Sequence, residues 1–479
     1  MVLDGHRATS SSRFGSLEIM RIVLAVLSLV LALLALLAPA IWNGFPITFH
    51  DTGGYLARWY ETEPGNGRAT PYGLFIEGLH LGLAYWPAIV AQSLLVIAVV
   101  GEAGRSLLGL RGANAVLFAG GATILLALVT GISWYAAQLL PDILAPCAVL
   151  ALFLLVEGRR GRSLGRQILL FAMVALGAAS HTGTVGLLVG LVGFVALAAA
   201  LGHLARRSAG WSRRTWLRLV GGVFALGFGT FLVPASNWAL YDKFVFTPGG
   251  DIFLFGRLVQ DGIASRYLAD HCPDPTLKLC DHQAELYEPD GRQMSNDSFL
   301  WWGGSPLYAI GGWETAGPEL SRITRASLSA YPTMHLSSAW KSFVGQLGLI
   351  GTGDGLNDDH WHARWAIQTY RPEDLAGFQA AEQRKGKIPF DLFNDVHVPV
   401  GYAAWLALPL IAVFGFRSGR EGVARFSAFT FTALVGNAAI CGILSNPHDR
   451  YESRLIWLAV LACMVAALAF RRPAEETDK

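Results

Sequence analysis

Apolar residues along this chain gather in long uninterrupted runs rather than in the one-sided stripes of soluble helices. Windows of about 20 apolar residues, the length that crosses about 30 Å of hydrocarbon, centre near Leu33, Leu94, Leu126, Leu150, Val174, Val192, Phe224, Leu406, Leu434 and Val460. The pattern predicts an all-α polytopic membrane protein with about ten transmembrane helices. The runs near Leu150 and Val174 are the shortest and the least sharply bounded. The first run, Ile22 to Trp42, follows Arg7, Arg13 and Arg21 in the manner of a secretory signal, yet it exceeds a cleaved apolar core and reads as a retained span.

One long hydrophilic stretch, residues 241–397, separates a membrane domain of about seven spans (1–240, with its first external loop near 45–80) from one of about three spans and a tail (398–479). Within it Leu254, Leu258, Ile263 and Tyr267 recur at helical spacing, and a second amphipathic stretch runs from Ile323 through Leu336 to Leu347 with Pro332 inside it. The segment is therefore predicted to be mainly helical. Phe299, Leu300, Trp301 and Trp302 either form its core or dip into the headgroup layer, where tryptophan is favoured.

Loop charge gives orientation. With the N-terminus inside, Arg105 and Arg111, Arg159 to Arg166, Arg206 to Arg218, Arg417 to Arg425, and Arg471 with Arg472 all fall in cytoplasmic loops. The opposite loops hold fewer: Arg58 and Arg68, then Arg450 and Arg454. This topology makes both termini cytoplasmic and exports 241–397. Together with an Ala- and Arg-rich composition it suits a bacterial inner membrane and a site facing the periplasm.

Composition agrees. Of 479 residues 53% are hydrophobic and only 15% charged, too little charge to cover a soluble surface. The net charge of +2 is spread over short arginine clusters, which excludes a basic face for nucleic acid. Cys147, Cys441 and Cys463 sit in apolar spans as small hydrophobes, whereas Cys272 and Cys280 flank a short loop in the exported segment and fit a disulfide, with zinc the lesser alternative. Walker A, dinucleotide-binding, nucleophile-elbow and zinc-protease signatures are absent.

Ionisable groups at the rim of an apolar bundle are costly unless they face a cavity or one another, so each is a candidate. Asp51, in Thr48-Phe49-His50-Asp51-Thr52-Gly53-Gly54-Tyr55, fits both a general base and a helix N-cap. The last external loop, Asn446 to Arg454, is very polar. Its Arg450 and Arg454, four apart, either grip a phosphate with paired guanidinium forks or are neutralised by Asp449 and Glu452 while reaching to headgroups. Asp142 in Leu140-Pro141-Asp142 opens a span and caps it; His181 stands in a tight turn, where it contacts an anion or satisfies carbonyls. Asp354, Asp358, Asp359, His360 and His362 have metal-capable types but match no loop template, and read as a solvated turn.

Three of these features together resemble the GT-C superfamily of polytopic glycosyltransferases: an acidic residue after the first span (Asp51, followed by Tyr55), a Pro-Asp opening a middle span (Pro141-Asp142), and an Arg-Tyr pair after a histidine in a late loop (His448, Arg450, Tyr451). The resemblance implies transfer of a sugar from a polyprenyl-phosphate-type lipid donor to a glycan, lipid or protein acceptor. Asp51 would be the base, Arg450 and Arg454 would contact the donor phosphate, and Asp142, His181, His448 and Tyr451 would contact substrate. The family often has an acidic pair where Asp51 stands between His50 and Thr52, so a divalent metal is possible but not supported, and no other cofactor is expected. Glu452-Ser453-Arg454 also departs from the apolar residues of many relatives. A transporter, another lipid-linked group transferase and an assembly factor of the cell envelope are the competing readings; a transporter would place charge nearer mid-span.

Overall fold

The computed structural model describes residues 8–158, 161–204, 213–386 and 388–471. Eight helices among them are long and apolar enough to cross a membrane. The first is α1 (Ala8–Asn43, apolar over Glu18–Asn43), followed after a loop by two short helices, α2 (His50–Leu56) and α3 (Thr70–Gly78). Next come the spans α4 (Trp86–Leu107) and α5 (Gly112–Val129).

The runs around Leu150 and Val174 fold into shorter helices, α6 (Leu144–Glu157, 14 residues) and α7 (Leu164–Ser180, 17 residues). A helix of 14 residues rises only about 21 Å, less than a bilayer core. α6 is buried along nearly its whole length, so other helices rather than lipid surround it. Eight helices thus meet the length for crossing and two shorter ones occupy the remaining apolar runs. Spans α8 (Thr182–Leu204) and α9 (Arg213–Tyr241) close the first half, and α14 (Phe390–Arg417), α15 (Glu421–Leu444) and α16 (Arg450–Phe470) form the second; α10 to α13 lie between them. α14 begins before residue 398, because its first two turns carry the polar Asp391, Asn394, Asp395 and His397 and still continue the helix.

Ion pairs define one end of the bundle. Glu102 near the end of α4 accepts from Arg162 in the α6–α7 loop (2.9 Å) and from Arg166 in the first turn of α7 (3.4 Å). Glu157 pairs with Arg425 of α15 (2.6 Å), and Arg218 of α9 donates to the Glu157 and Gly158 carbonyls. The arginine-bearing loops therefore share an end; Arg7, Arg159, Arg206 and Arg472 lie outside the described residues.

Between α9 and α14 the chain builds a second hydrophobic core, with no strand among the described residues. Its main helices are α10 (Gly250–Gln260), the short helix Ile263–His271 and α11 (Gly317–Ala330); α12 (Pro332–Leu347) touches it through Met334, whereas α13 (Trp361–Tyr370) buries Ala363, Ala366 and Ile367 in the core of the bundle. Pro332 does not interrupt a helix. It starts a new one, where its missing N–H costs nothing. Phe299 and Leu300 enter the core, as the first of the two sequence readings has it, while Trp301 and Trp302 remain exposed. Cys272 and Cys280 form a disulfide.

Candidate functional site

At the end of the bundle away from the arginine loops, sequence-distant segments converge on Asp51. The strand-like stretch after α1 pairs with the turn before α6: Ile47 N–H donates to the Ala137 carbonyl (3.0 Å) and Leu139 N–H to the Ile47 carbonyl (2.9 Å). Thr52 adds a hydroxyl bond to the Leu139 carbonyl (3.2 Å) while accepting from Phe49 N–H (2.9 Å). Phe49, not Asp51, is the N-cap of α2, so the Asp51 carboxylate is free of that duty. Gly53 lets α13 close on α2, since a Cβ there would lie 2.3 Å from the His362 carbonyl oxygen.

The Asp51 carboxylate stands between two guanidiniums. Arg68 pairs with one oxygen and Arg450 lies 3.3 Å from the other. All three side chains are half-buried, with a fifth or less of their surface exposed. Burial pushes the Asp51 carboxyl up, but Arg68 and Arg450 outweigh it and hold the group at about 2. Asp51 is thus ionised at every physiological pH, and while both arginines hold it, it is a weak base. Arg68 is steered by its neighbours. Gly67 has φ +67 and meets the Phe253 ring, and the Arg68 guanidinium lies 5.9 Å from the Trp301 ring centre. The Arg450 guanidinium stacks 4.4 Å over Phe49.

The two arginines of the last loop go to different partners. Arg450 reaches Asp51, whereas Arg454 pairs with Asp142 at 2.9 Å, the two side chains being 1% and 4% exposed. Arg454 also reaches Asn437 (3.4 Å), and Asn437 donates to Glu452 (2.7 Å). Neither Asp449 nor Glu452 neutralises the arginines: Asp449 accepts from Gly351 N–H at 2.6 Å. Tyr451 is buried between the two guanidiniums, each 5.3 Å from its ring centre.

His181 caps the end of α7 near this cluster. Burial, followed by the Arg454 charge, pushes its imidazole down to about 3, so it is neutral. Its Nδ1 has no hydrogen-bond partner, and Thr184 Oγ1, Arg450 Nε and Arg454 Nε are likewise unpartnered. Such buried polar atoms are costly alone. A ligand with oxygen acceptors and a hydroxyl would satisfy several of them.

The turn carrying these residues is tightly held. Gln346 donates to the His448 carbonyl (2.8 Å) and accepts from its N–H (2.9 Å). His448 Nδ1 lies 3.1 Å from Asp354, which also accepts from Arg450 N–H (3.4 Å). Asp354 therefore belongs to the site, while His360 is buried against Thr48 (3.2 Å) and the Gly355 carbonyl (2.9 Å). No group of three or more His, Cys, Asp or Glu is placed to hold a metal among the described residues.

Arg68 and Asp354, which the sequence offers only as a loop charge and as part of a solvated turn, are the members whose place in the site it does not give. The signal for Arg68 was available: an arginine in a loop class otherwise poor in them, close in sequence to Asp51. Asp354 stands in a run that reads as a solvated turn, because its partner His448 lies 94 residues away and leaves no local pattern. The assembly offers a fixed carboxylate, two partly accessible cations and a neutral imidazole at the mouth of a helix bundle. Comparison of the chain with family models, curated proteins and solved structures returns no match.

Proposed function

We propose that this protein is a membrane glycosyltransferase of the GT-C type, moving a sugar from a polyprenyl-phosphate-type lipid donor to an acceptor on the periplasmic face of a bacterial inner membrane. The observation that carries the proposal is the Asp51 carboxylate held between Arg68 and Arg450 at the ends of membrane helices. Two guanidiniums from separate segments match a phosphate ester at the lipid surface. Arg454 is buried and already paired with Asp142, so the second phosphate contact moves from Arg454 to the more exposed Arg68.

The same geometry supplies an order of events. Donor phosphate engages Arg450 and Arg68 and draws them off Asp51. The carboxylate, relieved of its counter-ions, becomes basic enough to take the acceptor's hydroxyl proton as that oxygen attacks the anomeric carbon. The bond from that carbon to the phosphate oxygen breaks, and the arginines neutralise the departing lipid phosphate, so no general acid is needed. His181, Asp142, His448 and Tyr451 shape the pocket around them. The lipid-facing helices give a donor a sideways route that a soluble nucleotide-sugar lacks.

The test is Asp51→Asn and Arg450→Ala in cells, with membrane insertion checked. Loss of a base typically costs 10²–10⁴-fold, so lipid-linked sugar should accumulate and surface glycan should be under-modified. Wild-type glycan profiles in both variants would sink the proposal, and a solute-uptake defect instead would favour a carrier.

A further inference from the structure

α12 carries an exposed apolar side that the Asp51 site does not use. This helix has two opposite faces. Ser342 and Gln346 are buried (4% and 0% exposed) against Gly442 of α15, where a Cβ would lie 2.8 Å from the Ser342 carbonyl oxygen. On the other side Leu336, Trp340 and Val344, spaced four apart, are 73%, 65% and 47% exposed. An isolated exposed leucine is ordinary; an aligned Leu-Trp-Val stripe on a helix is a surface that something covers.

Two spans fix the height of this stripe. Tyr402 of α14 donates to the Gly348 carbonyl just past the end of α12 (2.7 Å). Tyr402 stands fifteen residues before Arg417 at the arginine end, a rise of about 22 Å. Gly442 stands twenty-one residues after Glu421 at the same end, a rise of about 32 Å. The Gly442 contact therefore falls at the far edge of a hydrocarbon core about 30 Å thick and the Tyr402 backbone about 8 Å inside it, so α12 crosses that edge. Leu406 and Leu410, one and two turns along from Tyr402, are 62% and 72% exposed, as lipid-facing positions are, and Leu444 beside Gly442 is 55% exposed. The α12 stripe continues that lipid-facing surface. Trp340 has the amphipathic ring favoured at a headgroup boundary, and exposed Lys341 follows it, able to reach lipid phosphate.

We infer that α12 straddles the headgroup–acyl boundary, its Gly348 end the deeper one, with Leu336, Trp340 and Val344 facing lipid. The seat has a consequence for the site, because Gln346 on the same helix clamps both backbone groups of His448. Lipid contact at α12 thereby sets the height of the turn that carries Arg450. The inference stands independently of the chemistry at Asp51.

The test uses the full chain in phosphatidylcholine–phosphatidylglycerol nanodiscs, with a nitroxide on Leu336→Cys or Val344→Cys and, as a water-exposed reference, on Glu314→Cys, each with Cys463→Ala. Power saturation should show relaxation by oxygen exceeding that by a water-soluble nickel chelate at 336 and 344, and the reverse at 314. Nickel accessibility at 336 and 344 equal to that at 314 would overturn the inference, and so would shielding from both reagents, which would mean a second copy of the chain covers the stripe. Labels at exposed positions leave the fold intact, which a monodisperse elution profile checks.

Discussion

A carboxylate between two guanidiniums and an imidazole without a partner mark the same place by opposite means. Asp51 is over-satisfied and His181 under-satisfied. The first is stable only while its counter-ions are near; the second waits for one. His181 makes the resting state sensitive to pH in a defined direction. Its folded value of about 3 lies below the ordinary 6.5, so the unfolded chain binds the proton first. The fold loses nothing on this account above the ordinary value, and as pH falls below it the cost grows by at most about 1.4 kcal/mol per unit until the folded value is reached. Replacing His181 by Gln removes this term alone, leaving those of other buried histidines. Thermal melting at about pH 7.5 and about pH 5.5 should therefore show a smaller acid-induced drop in His181→Gln than in the wild type. An equal drop in both proteins would place His181 in contact with water.

At the scale of elements, the long apolar runs were legible because membrane length is a strong constraint, and the shorter ones were not. α6 is hydrophobic on all sides, which a sequence cannot tell from a lipid-facing span, yet it is enclosed by neighbours and too short to cross alone. Its tie to α16 was also hidden, since Asp142 and Arg454 are 312 residues apart and each had a sufficient local explanation. The pair is fully buried, and removing one partner leaves an uncompensated charge. Arg454→Ala should cost about 3–5 kcal/mol, read as a lower melting temperature and reduced membrane yield. Asp142→Asn combined with Arg454→Gln keeps the shapes and removes both charges, and should recover much of that loss in a double-mutant cycle. Additive losses in the double variant would show that the two side chains do not stabilise one another.

For the whole molecule, the loop charges supplied a rule that needs no contact information, and the ion pairs among Glu102, Arg162, Arg166, Glu157 and Arg425 show that the arginine loops do share one end. Asp51, Asp142 and Arg450 share the other, which the sequence implied only through its alternation. What the alternation left open was whether they meet; that depends on the Ile47–Gln138 bridge and the Gly53 contact, neither of which has a composition signature. Which end faces the cytoplasm follows from the positive-inside rule, and it has a direct test. Glu314 is exposed in the segment between α9 and α14, and Ser163 is exposed in the α6–α7 loop. A membrane-impermeant maleimide applied to sealed membrane vesicles of right-side-out orientation should label Glu314→Cys, and should label Ser163→Cys only after permeabilisation. The reverse pattern would turn the molecule over and place Asp51, Arg68 and Arg450 on the cytoplasmic side. A lipid-phosphate donor would then have to be used on the leaflet where nucleotide-sugars are available, which removes the reason for a lipid-carried sugar and overturns the reaction as proposed.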